Sequence, residues 1–133
     1  MVYNWCEYLV FARNLRENPA FLACVCGEET LKRNIISRAY YSAFHNSKKY
    51  AELKGRVTFS REHVHSDVQN WFQQNGEREV LAALRELGRW RTQCDYDDDV
   101  PGLDNLVKNG LKDSGKIYYL IKTKRQTNHL PPI

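Results

Sequence analysis

The chain has 133 residues, of which 42% are hydrophobic, 12% aromatic and 27% charged, with a formal net charge of +4. This profile predicts one folded domain over residues 1–133, and seven Gly and four Pro exclude a low-complexity or collagen-like chain. The N-terminal stretch MVYNWCEYLVF lacks a basic segment, and no apolar run approaches the ~18 residues of a membrane span. We therefore expect a cytoplasmic protein with no signal peptide and no contact with a membrane.

Helical periodicity predicts an all-α fold of about five helices. In chain order the predicted helices cover Asn4 to Glu17, Glu28 to Lys54, Ser60 to Gln74, Glu77 to Cys94 and Leu103 to Lys124. Gly55 is predicted to be the residue that follows the second helix, where a left-handed backbone favours glycine. The last four residues, Leu130 to Ile133, are predicted to form a loose tail.

The second predicted helix has two distinct faces. Its apolar stripe, which must face the core, consists of Leu31, Ile35, Ile36, Ala39, Tyr40, Ala43, Ser47 and Tyr50. Arg38 and His45 point within about 20° of each other on another face, which also carries Asn34, Tyr41 and Lys49. Their backbone positions lie about 10.5 Å apart, so the two side chains can converge on one phosphate group. The same spacing also fits an ordinary solvated face.

Two segments of the chain resemble HEPN-domain proteins. Residues 37–45, SRAYYSAFH, are similar to the S-R-A-Y-Y-x-A-F-H segment of that family, and residues 91–96, RTQCDY, are similar to its R-x-x-A-D-Y segment. The resemblance implies a small antiparallel helical bundle that often pairs as a two-fold dimer. Many members are metal-independent endoribonucleases of toxin–antitoxin, phage-defence or CRISPR systems, with an Arg followed after four to six residues by a His. Arg38 and His45, with six residues between them, satisfy that pattern.

The resemblance implies a catalytic pair formed by Arg38 and His45. In such a site the 2′-hydroxyl of RNA attacks the neighbouring phosphodiester, His45 transfers protons, and Arg38 donates hydrogen bonds to the phosphate. One His cannot act as base and acid at once, so we expect a homodimer that brings two copies together. Tyr41, Lys49 and Arg91 are the predicted substrate-binding residues.

A second interpretation is a non-catalytic HEPN subunit. Ala39 follows Arg38, whereas catalytic members usually carry Asn, Asp or His at that position. Members of the branch with this segment occur beside nucleotidyltransferases as partner subunits. The same face would then bind a nucleotide or a partner protein such as a nucleotidyltransferase, and Tyr40 and Phe44 are predicted to be packing residues. For the ribonuclease of a toxin–antitoxin system, the expected partner is a cognate antitoxin.

Arg91 and Asp95 continue the apolar stripe of the fourth predicted helix. Four residues apart, they can form an ion pair that stabilises the last turn of the helix and the acidic loop after it. Alternatively, Arg91 binds a nucleotide phosphate. Both interpretations stay open from the sequence.

No metal site or other cofactor is predicted. Cys24 and Cys26 are one residue apart, and His63 and His65 cannot share a helical face, so neither pair has the spacing of metal ligands. His63 and His65 are predicted to be surface or packing residues. Four free thiols are expected, at Cys6, Cys24, Cys26 and Cys94.

The basic residues are concentrated in two segments, residues 30–56 and 105–133. The first contains Lys32, Arg33, Arg38, Lys48, Lys49, Lys54 and Arg56, and the second contains Lys108, Lys112, Lys116, Lys122, Lys124 and Arg125. The first segment contains one acidic residue, Glu52, and the second contains one, Asp113. Two basic segments on an otherwise balanced chain are compatible with RNA as a partner, and also with solvated helix faces.

Overall fold

The computed structural model describes residues 3–20 and 27–133, and within these ranges it contains helices and no strand. The predicted all-α fold is confirmed. The helices are α1 (Cys6–Glu17), α2 (Glu28–Gly55), α3 (Val64–Gln74), α4 (Arg78–Tyr96) and α5 (Leu103–Thr127). None of these helices is long and apolar enough to cross a membrane.

Helix α2 is the central element and contacts each of the other four helices. It runs parallel to α5, because contacts between the two helices follow the same order along both. Near the middle, Ser114 Oγ donates a hydrogen bond to the carbonyl oxygen of Ala39 at 2.8 Å. Near the C-terminal ends, Lys54 and Lys124 both pair with the carboxylate of Glu77.

Helices α1 and α4 run in the opposite direction. Trp5, at the start of α1, stacks on His45 of α2, whereas Tyr8, further along α1, lies beside the earlier residue Arg38. Glu77, just before α4, meets the C-terminal end of α2. The result is a small up-and-down bundle in which α1 and α4 oppose α2 and α5, with the short α3 packed against α2 and α4.

All eight positions of the predicted apolar stripe of α2 are buried. All of them except Ser47 belong to one hydrophobic core cluster that takes residues from every helix, including Leu9 of α1, Phe72 of α3, Leu84 of α4 and Ile117 of α5. Burial of such side chains stabilises the fold by roughly 1.5–3 kcal/mol each. Because α2 has neighbours on several sides, Phe44 on its flank is buried as well.

The predicted role of Gly55 is wrong. Helix α2 includes Gly55, and the left-handed residue that follows is Arg56, with φ of 51°. Glycine is needed for a different reason, since a Cβ at position 55 would lie 2.6 Å from Nε1 of Trp71. The absence of a side chain therefore allows the indole of α3 to approach the backbone of α2.

The predicted loose C-terminal tail is also wrong. Arg125, which is 5% exposed, donates hydrogen bonds to the carbonyl oxygens of Pro131 and Pro132. The backbone N–H of Leu130 donates to the carbonyl oxygen of Arg125 at 2.8 Å, and its side chain packs against the core. A buried guanidinium must have hydrogen-bond acceptors, and the folded-back carbonyl groups supply them.

The predicted start of the third helix is too early. Residues 62 and 63 form a turn, and His63, with φ of −130° and ψ of 35°, precedes the first helical residue, Val64. The backbone N–H of Asp67 bonds to the carbonyl oxygen of His63, which places the first helical turn there rather than at Ser60. The other predicted ends agree with the structure to within about three residues.

Candidate functional site

Arg38 lies half-buried on α2 beneath the N-terminal part of the chain. Its guanidinium carbon is 5.0 Å from the ring centre of Tyr8 and 5.9 Å from that of Tyr41. Within residues 3–20 and 27–133 it has no hydrogen-bond or ion-pair partner. This separates Arg38 from four other basic residues of α2 that pair with carboxylates, namely Lys32, Arg33, Lys48 and Lys54. The N–H groups of Arg38 therefore remain available to an anionic ligand.

His45 is held by aromatic stacking. Its ring lies 3.5 Å from the indole of Trp5, centre to centre, with an interplanar angle of 12°. Burial, followed by the charges of Lys48 and His65, lowers the pKa of His45 from 6.5 to about 4. At neutral pH the imidazole is uncharged, so it can accept a proton, whereas the imidazolium form that would act as a general acid is not populated.

Tyr41 connects Arg38 with His45, since its ring lies 6.1 Å from the imidazole of His45 and also contacts Arg38. The two candidate catalytic side chains nevertheless open to different cavities. Arg38 and Tyr41 line a cavity of about 530 Å³ beside α4. His45 and Lys49 line another, of about 490 Å³, together with Trp5. The face of α2 that carries Arg38 and His45 was predicted to lie away from the core, but α1 partly covers it. The spacing of residues within α2 cannot show this cover, because it comes from another helix.

Arg91 reaches the same tyrosine from α4. Its Nη1 lies 3.3 Å from the hydroxyl oxygen of Tyr41 and 3.2 Å from Oδ2 of Asp95. The guanidinium also lies over the ring of Tyr40, at 5.1 Å. The side chain of Arg91 is 19% exposed, and its Nε is buried without a hydrogen-bond partner in the described part of the chain. The structure thus contains the Arg91–Asp95 pair and also places Arg91 next to Tyr41, another residue predicted to bind substrate.

His65 packs against Tyr40 and Phe44 of α2, one of the two roles predicted for it, but the sequence did not reveal its hydrogen bond. Its Nδ1 lies 2.6 Å from the hydroxyl oxygen of Tyr40, and its ring stacks on Phe44 at 4.2 Å. Burial raises the pKa of Tyr40 to about 12, so this hydroxyl stays protonated. Tyr40 belongs to the apolar stripe, and a buried tyrosine hydroxyl needs a polar partner. From the sequence, a hydrogen-bond partner for the hydroxyl of Tyr40 could have been expected, but nothing in the sequence identifies that partner as His65. His63, by contrast, is exposed.

Among the described residues, no group of three or more His, Cys, Asp or Glu side chains could hold a metal ion. Cys6 and Cys94 are free thiols, and burial raises the pKa of Cys94 to about 11. A thiol with such a pKa is not a reactive thiolate at neutral pH. Cys24 and Cys26 lie outside the described residues.

Comparison with known proteins yields one local similarity of note. Over 69 residues, 52% of this chain, the sequence is 35% identical to a glutamyl-tRNA(Gln) amidotransferase subunit of Caldivirga maquilingensis. The chain covers 10% of the length of that protein. No protein-family model matches the chain. No solved structure matches it either. The similarity is local and assigns the chain to no family.

Proposed function

We propose that the chain is a metal-independent endoribonuclease that cleaves RNA at the face formed by Arg38, Tyr41 and His45. One observation carries the proposal. The guanidinium of Arg38, which has no hydrogen-bond or ion-pair partner in the described residues, and the neutral imidazole of His45 both lie next to the ring of Tyr41. The resemblance of residues 37–45 to HEPN ribonucleases supports it. Toxin–antitoxin, phage-defence and CRISPR systems are the settings that this resemblance implies.

His45 is neutral at pH 7, so one ring nitrogen is free to accept a proton, and burial makes it a weaker base than an exposed imidazole. In the proposed reaction the 2′-oxygen forms a bond to phosphorus as its proton passes to His45, and the bond from phosphorus to the 5′-oxygen breaks. The guanidinium of Arg38 donates to the phosphate oxygens, on which negative charge increases in the transition state. Tyr41, whose hydroxyl is held by Arg91, positions the substrate.

The departing 5′-oxygen needs a proton that one neutral His45 cannot supply. A homodimer would bring a second Arg38 and His45 to the same phosphate. An adjacent anion favours the charged form of imidazole, so bound RNA would raise the pKa of this second His45. In its protonated form the second His45 would then donate a proton to the 5′-oxygen. Lys49, exposed at the cavity of His45, is placed to bind a neighbouring phosphate.

Incubation of the purified protein with total RNA tests the proposal directly. Wild type should generate defined fragments, and the His45→Ala variant should not. His63→Ala is the matched control, because it removes an exposed imidazole and should leave cleavage unchanged. Equal cleavage by wild type and by His45→Ala would remove His45 from the mechanism.

A non-catalytic subunit is the second candidate, and the environment of Ala39 favours it. Ala39 is fully buried, and its carbonyl accepts a hydrogen bond from Ser114. A polar catalytic side chain has no access to RNA from this position. In this case folded protein would leave RNA intact and bind a nucleotide or a nucleotidyltransferase, and Arg38→Ala would weaken that binding.

A further inference from the structure

A third cavity, a cleft between α3 and α4, includes neither Arg38 nor His45. Its volume is about 470 Å³, and its lining includes Tyr40, His65, Gln69, Arg85, Arg89 and Arg91. Three arginines from one helix therefore border a cavity that also contains the imidazole of His65. The proposed ribonuclease mechanism uses neither His65 nor Arg85.

The hydrogen bond between Tyr40 and His65 determines which imidazole nitrogen carries the proton. Tyr40 is 2% exposed, and in the described ranges His65 is the hydrogen-bond partner of its hydroxyl. If Nδ1 of His65 were the donor, the hydroxyl proton of Tyr40 would be buried without an acceptor, which costs about 1–3 kcal/mol. Tyr40 therefore donates to Nδ1, and neutral His65 carries its proton on Nε2.

The pKa of His65 is lowered, mainly by burial and then by the charge of Arg91, so the imidazole is neutral at pH 7. Its Nε2–H is then a hydrogen-bond donor and not a base. The nitrogen that could take up a proton, Nδ1, is already occupied by the hydroxyl of Tyr40.

Arginine N–H groups are the other donors of the cleft. Arg85 bonds to the amide oxygen of Gln73 and has no carboxylate partner among residues 3–20 and 27–133. Arg89 forms an ion pair with Glu86, and Nη1 of Arg91 donates a hydrogen bond to Asp95. Because a guanidinium has five N–H groups, each of these arginines retains N–H groups that are not used in its ion pair. Asp97 is the acid that lines the cleft. Donors thus outnumber acceptors.

We propose that this cleft binds a phosphate group, with Nε2–H of His65 and the guanidinium groups of Arg85 and Arg91 as donors. A phosphate presents several acceptor oxygens in a tetrahedral arrangement, so it can meet donors from two helices at once, and guanidinium pairs with it in a bidentate manner. The inference extends beyond the proposed cleavage. The two sites share Arg91, which also holds Tyr41, but His65 and Arg85 have no role in the cleavage, so phosphate binding here does not require it.

Nuclear magnetic resonance of the imidazole nitrogens provides the first test. In the free protein His65 should show the Nε2–H tautomer, and Tyr40→Phe, which removes the hydroxyl, should shift it toward a mixture of tautomers. An Nδ1–H tautomer in wild type would overturn the proposal.

Titration with inorganic phosphate is the second test. The signals of His65 should move to saturation, and Arg85→Ala should weaken the affinity about fivefold to tenfold. Arg78→Ala is the matched control, since Arg78 is exposed on the same helix and does not line the cleft. Signals of His65 that do not respond, or equal affinity in the two variants, would contradict the proposal. His45→Ala should keep the response, which separates this site from the cleavage site.

The source of the phosphate is resolved with two further probes, a 5′-nucleoside monophosphate and a 2′-O-methyl oligoribonucleotide that cannot be cleaved. Tighter binding of the oligonucleotide than of inorganic phosphate assigns the cleft to the RNA backbone, and tighter binding of the monophosphate assigns it to a nucleotide. If neither binds more tightly than inorganic phosphate, and Arg85→Ala affects neither, the cleft holds an adventitious ion only and the proposal fails.

Discussion

His45 is in an environment that disfavours its charged form, and this has a consequence for stability as well as for chemistry. The unfolded chain takes up a proton at His45 near its ordinary pKa of 6.5, whereas the folded chain does so near 4. Between these values the unfolded state binds more protons, so the folded state loses stability as the pH falls. Below about pH 4 the loss stops, because both states are then protonated.

His45→Phe tests this linkage, since phenylalanine keeps a flat ring on Trp5 but does not titrate. From pH 6.5 to pH 4 the free energy of unfolding of the variant should fall less than that of wild type, as measured by urea denaturation. The slope should decrease without vanishing, because His65 also has a lowered pKa. His63→Ala should follow the wild-type curve, and parallel curves for wild type and His45→Phe would contradict the argument.

The ion pair of Arg91 and Asp95 is half-buried, with side chains 19% and 33% exposed. Solvent therefore screens part of the attraction, and Asp95→Ala should destabilise the protein by about 1 kcal/mol rather than by the 3–5 of a fully buried pair. Thermal unfolding compares this variant with Asp99→Ala, a neutral control in the exposed loop. If Asp95→Ala unfolds at the wild-type temperature, the pair has no structural role.

At the scale of the elements, Glu77 joins three helices. It is 7% exposed and accepts hydrogen bonds from Tyr50 and Lys54 of α2, and it pairs with Lys124 of α5. Burial by itself raises the pKa of Glu77, but the hydrogen bonds from Lys124, Lys54 and Tyr50 outweigh it and lower the pKa. Glu77 thus contributes stability that is present above its unfolded pKa and is lost as the pH falls through the folded pKa.

Glu77→Ala should destabilise the protein by about 2–3 kcal/mol, somewhat less than the loss of a fully buried pair because both lysines are about one-third exposed. Glu79→Ala is the matched control two residues later, and as an exposed carboxylate it should change stability by less than about 0.5 kcal/mol. Differential scanning calorimetry distinguishes the two. Equal unfolding temperatures would show that the buried carboxylate contributes nothing to the packing of the three helices.

The sequence predicted the features of the helices that depend on local spacing. The stripe of α2 followed from the period of 3.6 residues, because each position depends on its neighbours along the same helix. The sequence could not show which helix covers which face. Trp5 over His45, His65 on Tyr40 and Trp71 against Gly55 each join residues more than ten positions apart. Arg38 and His45 also line different cavities, which helical spacing alone cannot reveal.

At the scale of the whole molecule, the proposed chemistry requires a second chain. One His45 cannot both take the 2′-proton and protonate the leaving oxygen, so the active species should be a two-fold dimer with the face of Arg38, Tyr41 and His45 at or beside the interface. Light scattering at tens of micromolar protein should therefore give twice the mass of the 15.6-kDa chain. A monomer at that concentration, with RNA cleavage intact, would show that a single chain supplies every proton transfer.

Cleavage by this dimer should persist in EDTA and leave 2′,3′-cyclic phosphate ends. The guanidinium of Arg38 supplies the positive charge at the phosphate, and the nucleophile is the 2′-hydroxyl of the RNA itself. Arg38→Ala and His45→Ala should each lower the rate by about 10²–10⁴-fold, whereas Arg78→Ala, which removes an exposed arginine of α4, should not. Because residues that act as a unit are not additive, the double variant should be little slower than the slower single variant. Fragments that carry 5′-phosphate ends would indicate a different nucleophile, since attack by the 2′-oxygen leaves the phosphate at the 3′ end of the upstream fragment and a 5′-hydroxyl on the downstream one. Loss of cleavage in EDTA would indicate that a metal ion takes part in the reaction.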